Sequence, residues 1–584
     1  MQIQISNYTS DELFSEDTFD MIFRESGTFR REQLKGFCFA QAKKLRVTKE
    51  FAALLKAYSI ELAKKSSSYA GGNKTEFIDQ PLQLNCGEWT ADNSGVYKQA
   101  RKADGGYDMR CASPIPVLVT EILENVEDGT EKIRIAFFKN GWQSFLCRRS
   151  TAASNNKVIE LADYGLEVCS ENAKWFVRYL ADLIALNLDI IPRYKATSKM
   201  GWVGNEFVPY CDFRFDGENE FGTIFNSITE QGDFIKWRDC INKLRTESKL
   251  FRFQLAASFS SVLISKLNIL PWIFHMWGGT GNGKTVGLMA AASVWGSPQP
   301  GKLTRTMNMT INSVMTTASF LNNIPFAGDE LQTIKHFGNY DQLIMQCTEG
   351  IGRGRMKYDS LQKPETWKCI FMFTGEEPVT RDNSGGGAKN RVIEIECNEK
   401  IVQNGNETVR VITENYGHAG KMFVTAVSCL GNRITDIYRG FYDDILKYDV
   451  PEKQAMAAAC MLCGDVLAEE YVLNSGMRRL TADDILPFLL TNDETDTAVR
   501  AYDYIMNVIS VNANKFSEDA NEVWGRIDDM YIWINKQVLV DRLRENNFEF
   551  DAVKKKWAEN KWLICNSQGR YHQYTKCYNV RAQY

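Results

Sequence analysis

The sequence predicts an α/β protein built around a phosphate-binding core, with a helical and mixed region before the core and a helical plus winged-helix region after it. Three observations carry this. The short apolar run Pro271–Trp277 leads straight into Gly278-Gly279-Thr280-Gly281-Asn282-Gly283-Lys284-Thr285 and then into an apolar helix. Ahead of it, helical spacing of apolar residues gives way to strand-like runs. The C-terminal end reads helix, helix, strand, turn, strand, the outline of a winged helix.

At roughly 150 residues per domain, 584 residues make about three or four domains. The reading places a helical domain at 1–75, a mixed α/β domain at 76–235, the phosphate-binding core at 236–425 and the helical and winged-helix region at 426–584. No run of about 18 apolar residues occurs, so no membrane span is expected. The start, MQIQISNYTSDELF, lacks the basic and apolar segments of a secretory signal. The 15 scattered cysteines then read as reduced, and the cytoplasm as the compartment. A net charge of −4 excludes a strongly basic DNA-binding chain, but not a ring that is acidic outside and basic only in its channel.

In chain order, residues 29–65 read as helical. Thr48 is a plausible N-cap there, and Phe51, Leu54, Leu55, Tyr58 and Leu62 form an apolar stripe. SSSYAGGNK (66–74) reads as a linker. Residues 118–138 are two apolar runs around EDGT, a hairpin pattern. Residues 172–188 read as a helix, GWVGNEFVPY (201–210) as strand with turn glycines, and 235–268 as a long helical stretch. Helices fill about 418–475. NKQVLVDRLREN and FDAVKKKWAENKW then give two more helices, and LICNSQGRYHQYTKCYNV a hairpin.

Gly278–Thr285 matches G-x-x-x-x-G-K-[ST] in the strand–loop–helix setting that this motif requires. Its glycines let successive N–H groups converge on phosphate oxygens, and the helix N-terminus adds partial positive charge. Lys284 is expected to reach the β- and γ-phosphates of ATP, and the Thr285 hydroxyl to ligate Mg²⁺. IPFAGDELQ (324–332) sets Asp329 and Glu330 after a short apolar run. The reading assigns Asp329 to the metal shell and Glu330 to activation of water. Pro325 and Gly328 interrupt that run, and proline is awkward in a central strand. CIFMFTGEE (369–377) is a cleaner buried strand ending at Thr374, placed to sense the γ-phosphate or the attacking water. SGGGAKNRVIEIE (384–396) reads as a glycine loop ending in Arg391. That residue is either an arginine finger for a neighbouring subunit or a solvated surface arginine.

Together these residues resemble the DUF927 family of phage and mobile-element proteins, regarded as candidate replicative helicases. The resemblance rests on GEWTADNSGVYK (87–98), GWVGNEFVPY, MWGGTGNGKTVGLMAAASVWGSP (276–298), AGDELQ, GIGRGRMKYDS (350–360), FTGEEP (373–378) and NRVIEIE, covering roughly 85–425. It implies an AAA+ ATPase core related to the minichromosome maintenance helicases. It further implies a ring, expected to be a hexamer, with ATP sites between subunits, and translocation on single-stranded or forked DNA. Replication proteins are further expected partners. By analogy with such motors, Gly352-Arg353-Gly354-Arg355-Met356-Lys357 would form a hairpin with a glycine tip, and Arg353, Arg355 and Lys357 would contact DNA phosphates. The alternatives are a solvated basic loop or arginines serving the ATP site. A fused primase is not expected. Lys421, Arg433 and Arg439 are three candidates for a second sensor, with no basis for choosing.

Cys460 and Cys463 read as a core pair in a helix, and Cys565, His572 and Cys577 lack a fourth ligand and familiar spacing. The winged helix carries Lys554, Lys555, Lys556, Lys561 and Arg570 near Trp557 and Trp562, which suits DNA or a protein contact equally. The expected activity is an ATP-driven DNA helicase or translocase. Two alternatives stay open: an ATPase that loads or remodels a protein, and an initiator that binds ATP without hydrolysing it.

Overall fold

The computed structural model describes residues 5–24, 28–69, 72–101, 107–334, 340–357, 360–362, 364–566, 568–572, 574–578 and 580–583. It forms two compact units, Met1–Lys195 and Ala196–Tyr584.

The first unit holds two separate apolar cores. Helices Glu16–Arg24, Thr28–Leu45 and Thr48–Tyr69 enclose Phe19, Ile22, Leu34, Cys38 and Phe51. The expected helical stretch is thus two helices, broken at Arg46, whose φ is 63°. The second helix runs through Ser66–Tyr69, so the first part of the expected linker is helical. Within its apolar stripe Phe51 is buried, whereas Leu54 is exposed. The second core lies between helix Ala173–Ala185 and antiparallel strands Val117–Asn125, Glu131–Phe138 and Trp142–Arg148. The helix buries Phe176, Tyr179, Leu180, Leu183 and Ile184, the spacing of a single apolar face. The 118–138 hairpin is as read, with its turn at Gly129.

In the second unit one core runs without a break from Met200 to Leu489. The expected helical stretch splits into α1 (Phe234–Glu247) and α2 (Lys249–Ser260) at Ser248, whose hydroxyl accepts the Phe251 N–H as an N-cap. A five-stranded parallel sheet follows: β1 (Ile273–Trp277), β2 (Thr304–Thr306), β3 (Phe326–Asp329), β4 (Phe371–Gly375) and β5 (Val392–Glu396), in the order β2-β3-β4-β1-β5. Such strands are buried on both faces, and β4 is buried at every position. Pro325 is tolerated because β3 begins one residue later, where the Phe326 N–H pairs with the Ile370 carbonyl. Gly328 is required: a Cβ there would lie 2.6 Å from the Met307 sulfur and 2.9 Å from the Phe373 ring.

Helices α3 (Lys284–Ala292), α4 (Ile311–Leu321) and α5 (Asp341–Glu349) connect these strands. The alanine-rich α6 (Glu452–Ala468) packs against α2, with Gly464 against the Ala256 carbonyl. Arg252 of α2 and Arg245 of α1 both meet Asp465 of α6, an enclosed ion triad held by hydrogen bonds. Cys460 and Cys463 lie buried on α6, the first with its sulfur at the Ser260 carbonyl of α2 and the second at the Ile434 carbonyl of helix Asn432–Ile445.

A last core lies among α7 (Thr497–Val511) and helices Lys536–Glu545 and Phe550–Glu559. Two hairpins accompany it, Gly525–Ile527 with Ile532–Ile534, and Tyr574–Cys577 with Val580–Gln583. The final hairpin starts later than the sequence suggested: Leu563–Cys565 form no strand. No helix among the described residues is long and apolar enough to cross a membrane.

Candidate functional site

The loop after β1 is shaped by its glycines. Gly278, Gly281 and Gly283 have φ of 135°, 84° and 81°, conformations that a side chain resists. Gly278 also lies against Cys397, where a Cβ would sit 2.9 Å from the carbonyl oxygen. Asn282 ties the loop to the far side: its Nδ2 donates to the Cys397 carbonyl at 2.7 Å, and its own carbonyl accepts the Ile401 N–H. The loop ends at the N-terminus of α3, which has no side-chain cap and whose first N–H groups lack intrahelical partners. Lys284 Nζ reaches back over the loop to the carbonyls of Gly278 and Gly279, at 2.8 and 2.7 Å.

Three expected residues meet beside it. Thr285 Oγ1 donates to Asp329 Oδ1 at 3.0 Å, and the Thr374 hydroxyl donates to the same oxygen. They arrive from the first turn of α3, the end of β3 and the end of β4, and β4 lies between β1 and β3. Glu330 is the next residue after β3 and adopts the left-handed conformation, φ 57° and ψ 59°. Its side chain is exposed and its carboxylate has no hydrogen-bond partner among the described residues. A left-handed non-glycine residue costs of order 1–3 kcal/mol, and such residues cluster at functional positions.

Arg391 is not in this group. It precedes β5 and so lies at the opposite end of the sheet, roughly 20 Å from the loop at the usual rise per strand residue. Its Nη1 donates to the Gly387 carbonyl at 2.6 Å and lies 3.2 Å from the Met345 sulfur. The preceding glycines are no open loop, because Gly386–Lys389 form a helical turn. The expected hairpin between β3 and β4 is present: Arg355–Lys357 pair antiparallel with Ser360–Gln362. Gly352 and Gly354 lie at its base and not at its tip, and the Gly352 N–H bonds the Glu365 carbonyl. Arg353 is exposed beside a cleft lined by Gln346, Glu349, Glu365 and Trp367. The side chains of Arg355 and Lys357 lie outside the described residues. Two of the second-sensor candidates are engaged elsewhere, Lys421 with Glu230 and Arg433 with Glu470.

Residues 89–367 match the family model of a domain of unknown function, DUF927. This domain belongs to the DUF927 family. Residues 496–581 match a second family, the Cch helix-turn-helix domain. A solved structure titled "SCCmec type IV Cch - active helicase" shares the fold, with a TM-score of 0.65 at 18% identity, covering 85% of this chain and 96% of its own. Two structures of the NrS-1 C-terminal region align at TM-scores of 0.24 and 0.23 with 13% and 11% identity. They cover 63% and 64% of this chain and 90% and 92% of their own, and scores that low carry no argument about the fold. No curated protein matches.

The DUF927 match includes Lys284, Thr285 and Asp329 but stops short of β4, so Thr374 and Arg391 lie beyond it. Gln332, to which the sequence assigns no role, accepts the Glu376 N–H through Oε1 at 3.4 Å just past the end of β4. Its signal was its place three residues after Asp329. His275 is buried in the middle of β1, with Nε2 at 3.0 Å from the Glu377 carbonyl. Burial pushes the His275 pKa below the usual histidine value. A histidine inside a short apolar run gives no sequence signal of such a contact.

Proposed function

We propose that this protein is an AAA+ ATPase: a ring-forming motor, expected to be a hexamer, that couples ATP hydrolysis to translocation on single-stranded or forked DNA during replication of a mobile element in the cytoplasm. The observation that carries this reading is the convergence of Thr285 and Thr374 on Asp329 beside a glycine loop at the ends of adjacent parallel strands. A strand between the loop strand and the acidic strand, bearing a polar residue at its tip, suits the ASCE class of ATPases. The fold shared with a structure titled as an active helicase adds support.

The residues present fit Mg²⁺-ATP as substrate. Lys284 now spends its ammonium on two loop carbonyls, a cation placed where phosphate oxygens would compete for it. A hydroxyl and a carboxylate are hard oxygen donors, and Mg²⁺ usually takes one or two protein ligands beside phosphates and water. Thr285 and Asp329 would hold the ion, which when bound neutralises charge on the β- and γ-phosphates. The Glu330 carboxylate, free and exposed, takes the proton of the attacking water. Thr374, through the oxygen it shares with Thr285, keeps Asp329 oriented and presents its hydroxyl at the strand tip.

For the ring, we place Arg391 against a neighbouring subunit's γ-phosphate, which requires its guanidinium to leave the Gly387 carbonyl. Arg353, Arg355 and Lys357 at the 355–362 hairpin are assigned to DNA phosphates in the channel. The deciding experiment is steady-state ATP hydrolysis with and without single-stranded DNA, beside Lys284→Ala. Stimulation by DNA that vanishes in the variant supports the motor. Hydrolysis indifferent to DNA overturns translocation and favours a protein substrate.

A further inference from the structure

The segment Glu376–Asn390 runs from the end of β4, beside Thr374, to Arg391 at the start of β5, and it is gripped from three sides. From the sheet, His275 meets the Glu377 carbonyl, and the Glu394 carboxylate accepts the N–H groups of Val379 and Thr380 and the Thr380 hydroxyl. From α5, Asp341 accepts the Gly385 N–H at 2.7 Å. The third grip comes from the helix-turn-helix region. Arg500, on the first turn of α7, donates through Nη2 to the Asp382 carbonyl. Beside it, Gly386 packs so tightly on Thr495 that a Cβ would lie 2.1 Å from the Thr495 carbonyl oxygen.

Arg500 is placed at a cost. It is half-buried, burial pulls its pKa down, and Nη1 is enclosed with no partner among the described residues. Its guanidinium lies 5.7 Å from the ring centre of Phe548, in the core of the helix-turn-helix region. A partly desolvated cation with one carbonyl acceptor is a poor stability device. It is an effective constraint, because it fixes one backbone carbonyl against a rigid helix. The segment has little slack to absorb a change there, since His275 and Glu394 hold its other end within six residues of Thr374.

We propose that Arg500 is a positioning residue for ATP hydrolysis: with the Gly386–Thr495 contact, it makes the C-terminal region a working part of the nucleotide site by fixing the segment that sets the end of β4. The inference rests on the ATPase reading above. It assigns the helix-turn-helix region a role besides any contact with DNA.

The test uses the full-length chain carrying Arg500→Ala, Arg500→Lys or Gly386→Ala. Steady-state kinetics are combined with amide hydrogen exchange over residues 379–387. Arg500→Ala is expected to lower kcat about tenfold, a typical coupling magnitude, with KM for ATP changed less than about threefold. It should also speed exchange in that segment. Arg500→Lys, which keeps a cationic donor, should restore most of the rate. Gly386→Ala approaches the same contact from the core side, so it decides the matter if Arg500→Ala disrupts the helix-turn-helix region. Unchanged kcat and exchange in both Arg500→Ala and Gly386→Ala overturn the proposal, as does a loss carried by KM alone. A wild-type chain that hydrolyses no ATP defeats the ATPase reading instead, and unchanged exchange in the variants would still count against the constraint.

Discussion

The hydroxyl of Thr374 donates to Oδ1 of Asp329, the same oxygen that accepts the hydroxyl of Thr285. One carboxylate oxygen thus ties the end of β4 to the end of β3 and to the first turn of α3. Thr374 is buried, so its hydroxyl is directed by the fold and not by solvent. Replacing it by valine keeps the shape and removes the donor. Thr374→Val is expected to lower kcat by about 10- to 100-fold, the usual loss when the hydrogen-bond partner of a metal-holding carboxylate is removed. ATP affinity should stay within a few-fold, and Thr374→Ser should retain most of the activity. Equal losses in Thr374→Val and Thr374→Ser would point to packing and not to the hydroxyl.

Glu330 combines a free carboxylate with a left-handed backbone. The two properties separate by mutation. Glu330→Gln keeps the backbone cost and removes the base, so nucleotide binding should persist while turnover falls to background. Glu330→Gly removes both. It should be equally inactive, yet more stable to heat or urea by about 1 kcal/mol, because glycine adopts this conformation without strain. A Glu330→Gly protein less stable than wild type would mean that the side chain makes a structural contact that matters more than the backbone.

The glycine loop, the acidic residue and the end of β4 were all legible in the sequence, because each sits where an apolar strand stops and a polar residue begins. That pattern is local. What failed was also local in sequence but decided by packing. The 384–390 glycines looked like an open loop, yet Gly386 is there because Thr495 leaves no room for a Cβ. Gly328 looked like a fault in β3, and it is the residue that lets Met307 and Phe373 close over that strand. The split of 235–268 at Ser248 was readable as an N-cap before an apolar run. The long-range ties to Asp382, Glu377 and Cys397 end on backbone carbonyls, which carry no sequence signal at all.

His275 predicts a pH dependence of stability. Its pKa is depressed in the folded chain by burial, so the native state resists protonation that the unfolded chain accepts near the ordinary histidine value of about 6.5. Below that value the unfolded state binds more protons, and stability falls as pH falls. The slope approaches at most about 1.4 kcal/mol per pH unit for one such group. Urea unfolding between pH 7.5 and 5.5 should show this loss, and His275→Asn should flatten it. An equal slope in the variant would assign the dependence to other groups.

Arg391 supplies the sharpest test of assembly. Within its own chain it stands at the end of the sheet away from Lys284, bonded to Gly387, and so cannot serve the site beside it. If it acts on a neighbour, Arg391→Ala and Lys284→Ala destroy different halves of one shared site. Each variant alone should be inactive. Mixed in equal amounts and allowed to exchange subunits, they should regain activity, because an Arg391→Ala chain then offers an intact loop to a neighbour's intact arginine. Random mixing restores about a quarter of the sites, and the recovered rate should approach that fraction of wild type if sites act independently. A mixture as inactive as its parts, under conditions where wild-type rings exchange subunits, would leave Arg391 with the role its contacts already show, anchoring the Gly386–Lys389 turn to α5 through Met345.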